Sequence, residues 1–374
     1  MDNNDTLPTP VPPQKNSVFT KVKRPSWLKK GPLTKQEKIR FAIVVAAIVL
    51  LGGAVLYVVA TQVAPSAEIF PGVTKQAEKK YYSPLNGVQV ADEAATKRAV
   101  TAVMIENSPD ARPQSGLAEA DVVFEAVAEG GITRFIALYQ PSQPGLVGPV
   151  RSLRPYYAQW AAGFDPSVAH VGGSPDALAM IRSGNYGVDI DQFFNPDSYW
   201  RAGDRAAPHN VYTNFERLNQ LNESKNKKES SFTFSPRVDE KKVAEPNATA
   251  INIPVSSGIF AVDYSYNATT NTYERKQGGE AHLDREKGQI APKVVVVIKT
   301  DISLSDDGSH MNIAVKSTGP AYIFQNGTVI EGTWGKSDEK ATLVLRDANG
   351  KDIPLVRGQT WITVIGNDKN VTWQ

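Results

Sequence analysis

The sequence contains no cysteine. That excludes disulfide staples, thiolate metal sites, a cysteine nucleophile and a lipid attached through cysteine. Any exported fold must then be held by its core alone. Histidine is almost as scarce, at four residues. Neither an HExxH motif nor a close histidine pair occurs, so no metal and no cofactor is expected. Basic charge is also missing from most of the chain. Residues 1–40 carry nine Lys and Arg against three Asp and Glu, a net of +6, and the overall +2 leaves −4 for everything after them. A nucleic-acid-binding fold needs its own basic stripe to neutralise phosphates, so no nucleic-acid partner is expected.

Charge is absent altogether from Phe41 to Ala60, FAIVVAAIVLLGGAVLYVVA, and does not return until Glu68. A helix rising about 1.5 Å per residue crosses a hydrocarbon layer of roughly 30 Å in such a stretch. Lys35, Lys38 and Arg40 abut its start, which places that end in the cytoplasm by the positive-inside rule. The pattern predicts a disordered basic cytoplasmic tail over 1–40, a transmembrane helix over 41–63 and a proline-bearing stalk over 64–84. The protein is then a single-pass protein of the cell membrane with its folded part extracytoplasmic. A cleaved signal peptide is the alternative, although its apolar core is normally shorter and closer to the terminus.

Beyond residue 84 the pattern predicts an α+β fold in two parts. Over 85–220, short apolar strands (Val100–Ile105, Asp121–Val127, Arg134–Tyr139) alternate with helical spacing at Pro155–Ala162 and at Pro175–Ile181, where Ser174 is a candidate N-cap. This reads as a mixed α/β domain. Residues 221–248 are charged and polar, either a linker or an exposed loop. Over 249–374, strands rich in Val, Ile, Thr and aromatics are separated by turn pairs such as Asn326-Gly327 and Asn349-Gly350, which reads as a mostly antiparallel β domain.

Polar residues concentrate in four stretches of the first part: Glu106 to Leu117; Glu125 with Glu129-Gly130-Gly131-Ile132-Thr133-Arg134; Gly148 to Pro155 with His170 to Ser174; and Arg201 with Arg205 to Asn210. These stretches, as MIENSPDARPQSGLAEADVVFEAVAEGGITRFIALY, VGPVRSLRPYY, HVGGS and APHNVYT, resemble the domain-of-unknown-function 3048 family of YerB-like bacterial cell-envelope proteins. Tyr273-Glu274-Arg275, His282-Leu283-Asp284 and Gly358-Gln359-Thr360-Trp361-Ile362 extend the resemblance over roughly residues 85–374. It implies a bacterial, membrane-tethered, extracytoplasmic protein and no particular reaction. Many members resemble lipoproteins, which need the cysteine this chain lacks.

Three functional readings stand side by side. In the first, Arg112, Arg151, Arg154, Ser174, Arg201, Arg205 and Asn210 bind an anionic envelope ligand or an envelope protein, since guanidinium groups fork onto carboxylate or phosphate. In the second, Glu125, Glu129, His170 and His209 supply acid/base catalysis to a cell-wall hydrolase. In the third, the polar groups pair with one another and the protein is a structural scaffold. Convergence of Glu125, Arg151, His170, Arg205 and His209 in one cleft favours function; dispersal into separate ion pairs favours the scaffold.

Overall fold

The computed structural model describes residues 34–36, 38–40, 42–49 and 79–374. The described residues of 35–49 are helical. Among the described residues no helix is long and apolar enough to cross a membrane. Most of the expected tail (1–40), the remainder of the apolar run (41 and 50–63) and the stalk up to residue 78 lie outside the described residues. Lys79–Gln374 is one compact unit. Its regular structure begins inside the expected stalk, because Tyr81–Tyr82 pairs with Gln89–Val90 and Ser83 and Leu85 are buried.

The principal elements are β1 (Val100–Glu106), β2 (Val122–Glu129), β3 (Ile132–Tyr139), α1 (Pro155–Ala162), β4 (Pro166–His170), α2 (Pro175–Arg182), β5 (Val188–Asp191) and α3 (Phe215–Ser224). They continue with β6 (Ala250–Ile253), β7 (Val262–Asn267), β8 (Thr272–Gln277), β9 (Glu280–Ala281), β10 (Val294–Thr300), β11 (Thr318–Gln325), β12 (Thr328–Gly335), β13 (Val344–Arg346), β14 (Thr360–Gly366) and β15 (Thr372–Trp373). Ten strands form one mixed sheet in the order β13-β12-β11-β10-β14-β2-β3-β1-β4-β5. A second sheet of five runs β9-β8-β7-β6-β15.

The large sheet passes without a break from the first part of the chain to the second. Thr360 to Thr363 of β14 pair in parallel with Val122 to Glu125 of β2. β14 also runs parallel to β10, so the second part is not purely antiparallel. Every residue of β1 and β14 is buried. Such strands have covered faces on both sides, which is why they read as nearly continuous apolar runs rather than as alternation. One face carries α1 and a core built around Phe124, Trp160, Phe164 and Trp334. On the other, α3 covers Ile105, Phe135 and Tyr139, while the small sheet packs Ile251, Tyr264 and Tyr273 against Val295, Val297 and Phe324.

α3 begins at Asn214, whose side chain accepts from Arg217 N, and buries Phe215, Leu218 and Leu221 at near-helical spacing. The polar stretch after α3 is fastened down. Ser230 Oγ accepts from Val100 N at 2.9 Å and Phe232 and Phe234 pack on Phe164. Between β11 and β12, Asn326 and Gly327 both have positive φ, 58° and 78°, and close a two-residue hairpin. A type I′ turn requires that conformation of both residues.

Candidate functional site

β1 sends Val100, Ala102 and Met104 into the α1-side core. The same alternation brings Glu106 to that face as the strand leaves the sheet, with Arg134 of β3 as its cross-strand neighbour. The loop after Pro149 is pinned between β1 and β4: Arg151 N donates to Met104 O at 2.9 Å and Val171 N to Arg151 O at 3.0 Å. Arg151 is thereby held over the end of β1. The buried Glu106 carboxylate gathers three groups. Ser108 Oγ donates to Oε1 at 3.0 Å, Arg151 Nε lies 3.3 Å from Oε1, and His209 Nδ1 lies 3.0 Å from Oε2. Ser108 Oγ is also 3.1 Å from His209 Nδ1. The side chains of Arg151 and His209 stay 26% and 20% exposed, so the cluster reaches solvent through them.

Beside it, Glu129 receives Arg134 and Arg154; Arg154 Nε donates to Oε2 at 3.1 Å. Burial alone would raise the Glu129 carboxyl, but the two guanidinium groups outweigh it and hold it below the usual carboxylate value. Arg134 Nη1 donates to Ser152 O at 2.9 Å, which ties this group to the Arg151 loop. Arg134, Arg151 and Arg154 face Glu106 and Glu129 here, and the adjoining Asp189, Asp191 and Arg182 bring the whole to charge balance.

Several enclosed polar atoms here have no aligned hydrogen bond among the described residues: Glu106 Oε2, Arg134 Nε, Arg151 Nε, Ser174 Oγ, Asp191 Oδ2 and Gln192 Oε1. They sit where β1, β4 and β5 end, or in the adjoining loops and strand. Native interiors rarely leave such groups unsatisfied. These six belong to segments that meet at this end of the sheet.

Other expected site residues go elsewhere. Glu125 faces away from the crevice and belongs to a closed ring of contacts. Arg275 Nη2 donates to both Glu125 oxygens, Arg275 Nε to His282 Nδ1 at 2.8 Å, and His282 Nε2 lies 3.0 Å from Gln114 Oε1. Gln114 Nε2 donates to Asn107 Oδ1, Asn107 Nδ2 to Thr133 Oγ1, and Thr133 Oγ1 returns to Glu125. Burial and the neighbouring Arg275 and Arg112 push His282 well below the usual histidine value, so it is neutral. Arg112 donates to Asn107 O and Ile259 O. Arg201 donates to Asn210 Oδ1 at 2.7 Å, while Arg205 donates to Ala111 O and Pro113 O. These last contacts clamp the 201–210 loop on the 109–113 turn.

His170 is buried, with Nδ1 2.8 Å from Gly172 O and Nε2 3.1 Å from Asp189 Oδ1. Burial opposes ionisation of Asp189, but the His170 contact and Arg182 hold its carboxyl below the ordinary value. Ser174 occupies the N-cap position of α2 without a side-chain capping bond. Of the expected residues, then, Glu129, Arg151, Arg154 and His209 meet at this cluster, with Ser174 at its margin. Of the five whose convergence favours function, only Arg151 and His209 come together, while Glu125, His170 and Arg205 are paired elsewhere. Glu125, Arg112, Arg201, Arg205 and Asn210 are engaged in fastening loops and sheets. Glu106, Ser108 and Arg134 lie in the polar stretches of the sequence but are not among its candidate site residues; Glu106 at a strand end followed by Asn-Ser-Pro is the available signal.

The architecture defines an α+β protein built on one mixed ten-stranded sheet, with an arginine-rich polar cluster at one end of its strands. The chain belongs to the DUF3048 family. Its N-terminal domain, described as a protein of unknown function, matches residues 85–230 and its C-terminal domain residues 251–362. The chain is 35% identical over 294 residues to "Putative lipoprotein YerB" of Bacillus subtilis (strain 168), covering 77% of this chain and 87% of that protein. The crystal structure of YerB protein from Bacillus subtilis superposes with a TM-score of 0.69 at 31% identity, over 78% of this chain and all of that one.

Proposed function

We propose that this protein is a membrane-tethered binding protein of the cell envelope, whose Arg151–His209 crevice takes an anionic ligand. The observation that carries the reading is Arg151, whose Nε has no aligned hydrogen bond while its side chain stays 26% exposed beside His209. A carboxylate or phosphate laid against Arg151 supplies the guanidinium with an aligned acceptor. The tether is the apolar run 41–63, with the basic tail inside. A relative named "Putative lipoprotein YerB" supports an anchored protein, and this chain, which has no cysteine, offers its apolar run as the anchor in our reading. Protease added to intact cells should then digest the part beyond residue 79.

The test is a thermal-shift series on the full chain in detergent micelles, with inorganic phosphate, glycerol 3-phosphate and citrate. A ligand that binds only the native state raises the melting temperature by mass action. Saturable stabilisation by at least one anion, lost in Arg151→Ala, is the expected result. A flat series, or an unchanged response in the variant, overturns the anion reading and leaves an envelope protein partner or a scaffold.

The contact of Ser108, His209 and Glu106 favours a second reading, a hydrolase. A nucleophile–base pair of that type places serine on one imidazole nitrogen and the carboxylate on the other. Here Nδ1 faces both, which favours binding over turnover. Hydrolysis of envelope glycan or peptide that disappears in Ser108→Ala would reverse that preference.

A further inference from the structure

Arg151 and His209 stand on the two oxygens of one carboxylate, that of Glu106. Arg151 Nε lies 3.3 Å from Oε1, and His209 Nδ1 lies 3.0 Å from Oε2. Oε2 has no aligned donor, whereas Nδ1 and Ser108 Oγ, 3.1 Å apart, form an aligned hydrogen bond. Ser108 gives its single hydroxyl proton to Glu106 Oε1. Its oxygen is therefore the acceptor toward the ring, and Nδ1 carries the N–H of the neutral imidazole. The lone pair is left on Nε2. That nitrogen has no hydrogen bond among the described residues and is not one of the enclosed polar atoms, so it meets solvent. Asp110 Oδ2 lies 4.0 Å from it, on a side chain that is 83% exposed.

We infer that anion binding at Arg151 is coupled to a proton taken up on His209 Nε2, so that the site holds its ligand more tightly as pH falls. The inference rests on the anion reading and adds its regulation. With His209 neutral, Arg151 is the cation in contact with the Glu106 carboxylate. An imidazolium puts a second cation on the same carboxylate. The guanidinium is then freer to turn to a ligand, and the new charge attracts that ligand directly. Asp110, beside Nε2, favours the protonated ring. The other charged groups around this loop are engaged elsewhere. Arg205 donates to Ala111 O and Pro113 O, Arg112 to Asn107 O and Ile259 O, and Arg201 to Asn210 Oδ1. Asp204 pairs with Arg285 at 2.6 Å. Coupling is reciprocal, so the ligand in turn favours the proton and binding takes protons up.

Isothermal titration of sulfate into the full chain in detergent micelles at pH 5.5, 6.5 and 7.5 tests it. Sulfate keeps its charge over this range, where histidine changes its own. The expected result is about tenfold tighter binding at pH 5.5 than at pH 7.5. At pH 6.5 the binding enthalpy should vary with the ionisation enthalpy of the buffer, because protons are taken up. Arg151→Ala should abolish binding, and His209→Gln should lose both the pH dependence and the proton uptake. Proton uptake is read on the parent alone, so the test stands where that variant folds poorly. Arg151-dependent binding of equal affinity at all three pH values, or a pH dependence that persists in His209→Gln, overturns the coupling and leaves the anion reading in place. No sulfate binding at any pH overturns the coupling as well, and the phosphate and citrate series then decides the anion reading by itself.

Discussion

Glu125 of β2 and Arg275 of β8, 150 positions apart, meet in a fully buried ion pair, with Nη2 2.9 and 3.0 Å from the two carboxylate oxygens. Arg275 also lies 4.5 Å over the Trp361 ring and donates to Tyr264 Oη. The pair ties the small sheet to the large one. Desolvating two charges offsets most of their attraction, so the pair specifies how the sheets dock more than it adds stability.

Removing one partner strands the other. Arg275→Leu leaves the Glu125 carboxylate buried without its counter-charge, and denaturant unfolding should show a loss of about 3–5 kcal/mol. The double variant Glu125→Leu, Arg275→Leu should recover most of that loss. A double variant as unstable as the single one would mean that the pair itself is strongly stabilising.

The hairpin at Asn326-Gly327 gives a second prediction. A Cβ on Gly327 would lie 2.7 Å from Tyr266 Cε1 and 2.9 Å from Pro246 Cβ, at φ +78°. Gly350 has nearly the same φ, +77°, but open space around it. Gly350→Ala should therefore cost only the left-handed backbone term, about 1–2 kcal/mol, and Gly327→Ala measurably more. Paired thermal melts of the two variants read the steric part directly.

Much of this was legible because local chemistry decides it. Runs such as VVVVIKT and TWITVIG announce buried strands, and Asn326-Gly327 announces its turn. α1 and α2 are legible from Pro at their first positions and apolar spacing. The insertion of β14 between β10 and β2 was not legible, because parallel pairing between distant segments leaves no periodicity to read. α3 was partly hidden: its Asn, Glu and Ser content resembles a loop, although Phe215, Leu218 and Leu221 face the core. At the site, Arg151, Arg154, Glu129 and His209 stood out by residue type. Which arginine met which carboxylate did not, since facing partners depend on strand register. Glu125 was plausible as an acid by sequence and sits in a closed ring by structure.

His282 predicts a pH dependence. Its folded-state value lies well below 6.5 because of burial and the adjacent Arg275 and Arg112. In the unfolded chain it takes up a proton near pH 6.5, and in the folded protein it does not. The unfolded state thus binds more protons below that value, and stability falls as pH drops from about 6.5, by up to ~1.4 kcal/mol per unit. Asp121, raised by burial to about 6, acts in the opposite sense. Its ionisation penalty is relieved as pH falls over the same range. Comparing the parent with His282→Gln at pH 7 and pH 5 isolates the histidine: the variant should start less stable and lose less on acidification. Parallel losses would show that His282 is protonated in the fold.

Glu106 separates binding from catalysis at the crevice. Its carboxylate lies beneath Arg151 and His209, 3.3 and 3.0 Å from their nitrogens, and competes with any anion for them. Glu106→Gln preserves shape and the Ser108 contact while removing that negative charge. Charges at such short range in a partly buried setting interact by several kcal/mol before screening. Anion affinity in the thermal-shift series should therefore rise by about tenfold or more, equivalent to at least ~1.4 kcal/mol. A hydrolytic role for Glu106 predicts the contrary pattern, in which the same variant abolishes turnover and leaves ligand affinity little changed. Isothermal titration with the anion that stabilises the parent most decides between them. Weaker anion binding in Glu106→Gln would mean that the carboxylate positions Arg151 rather than competing with the ligand, because losing it would then misplace the guanidinium.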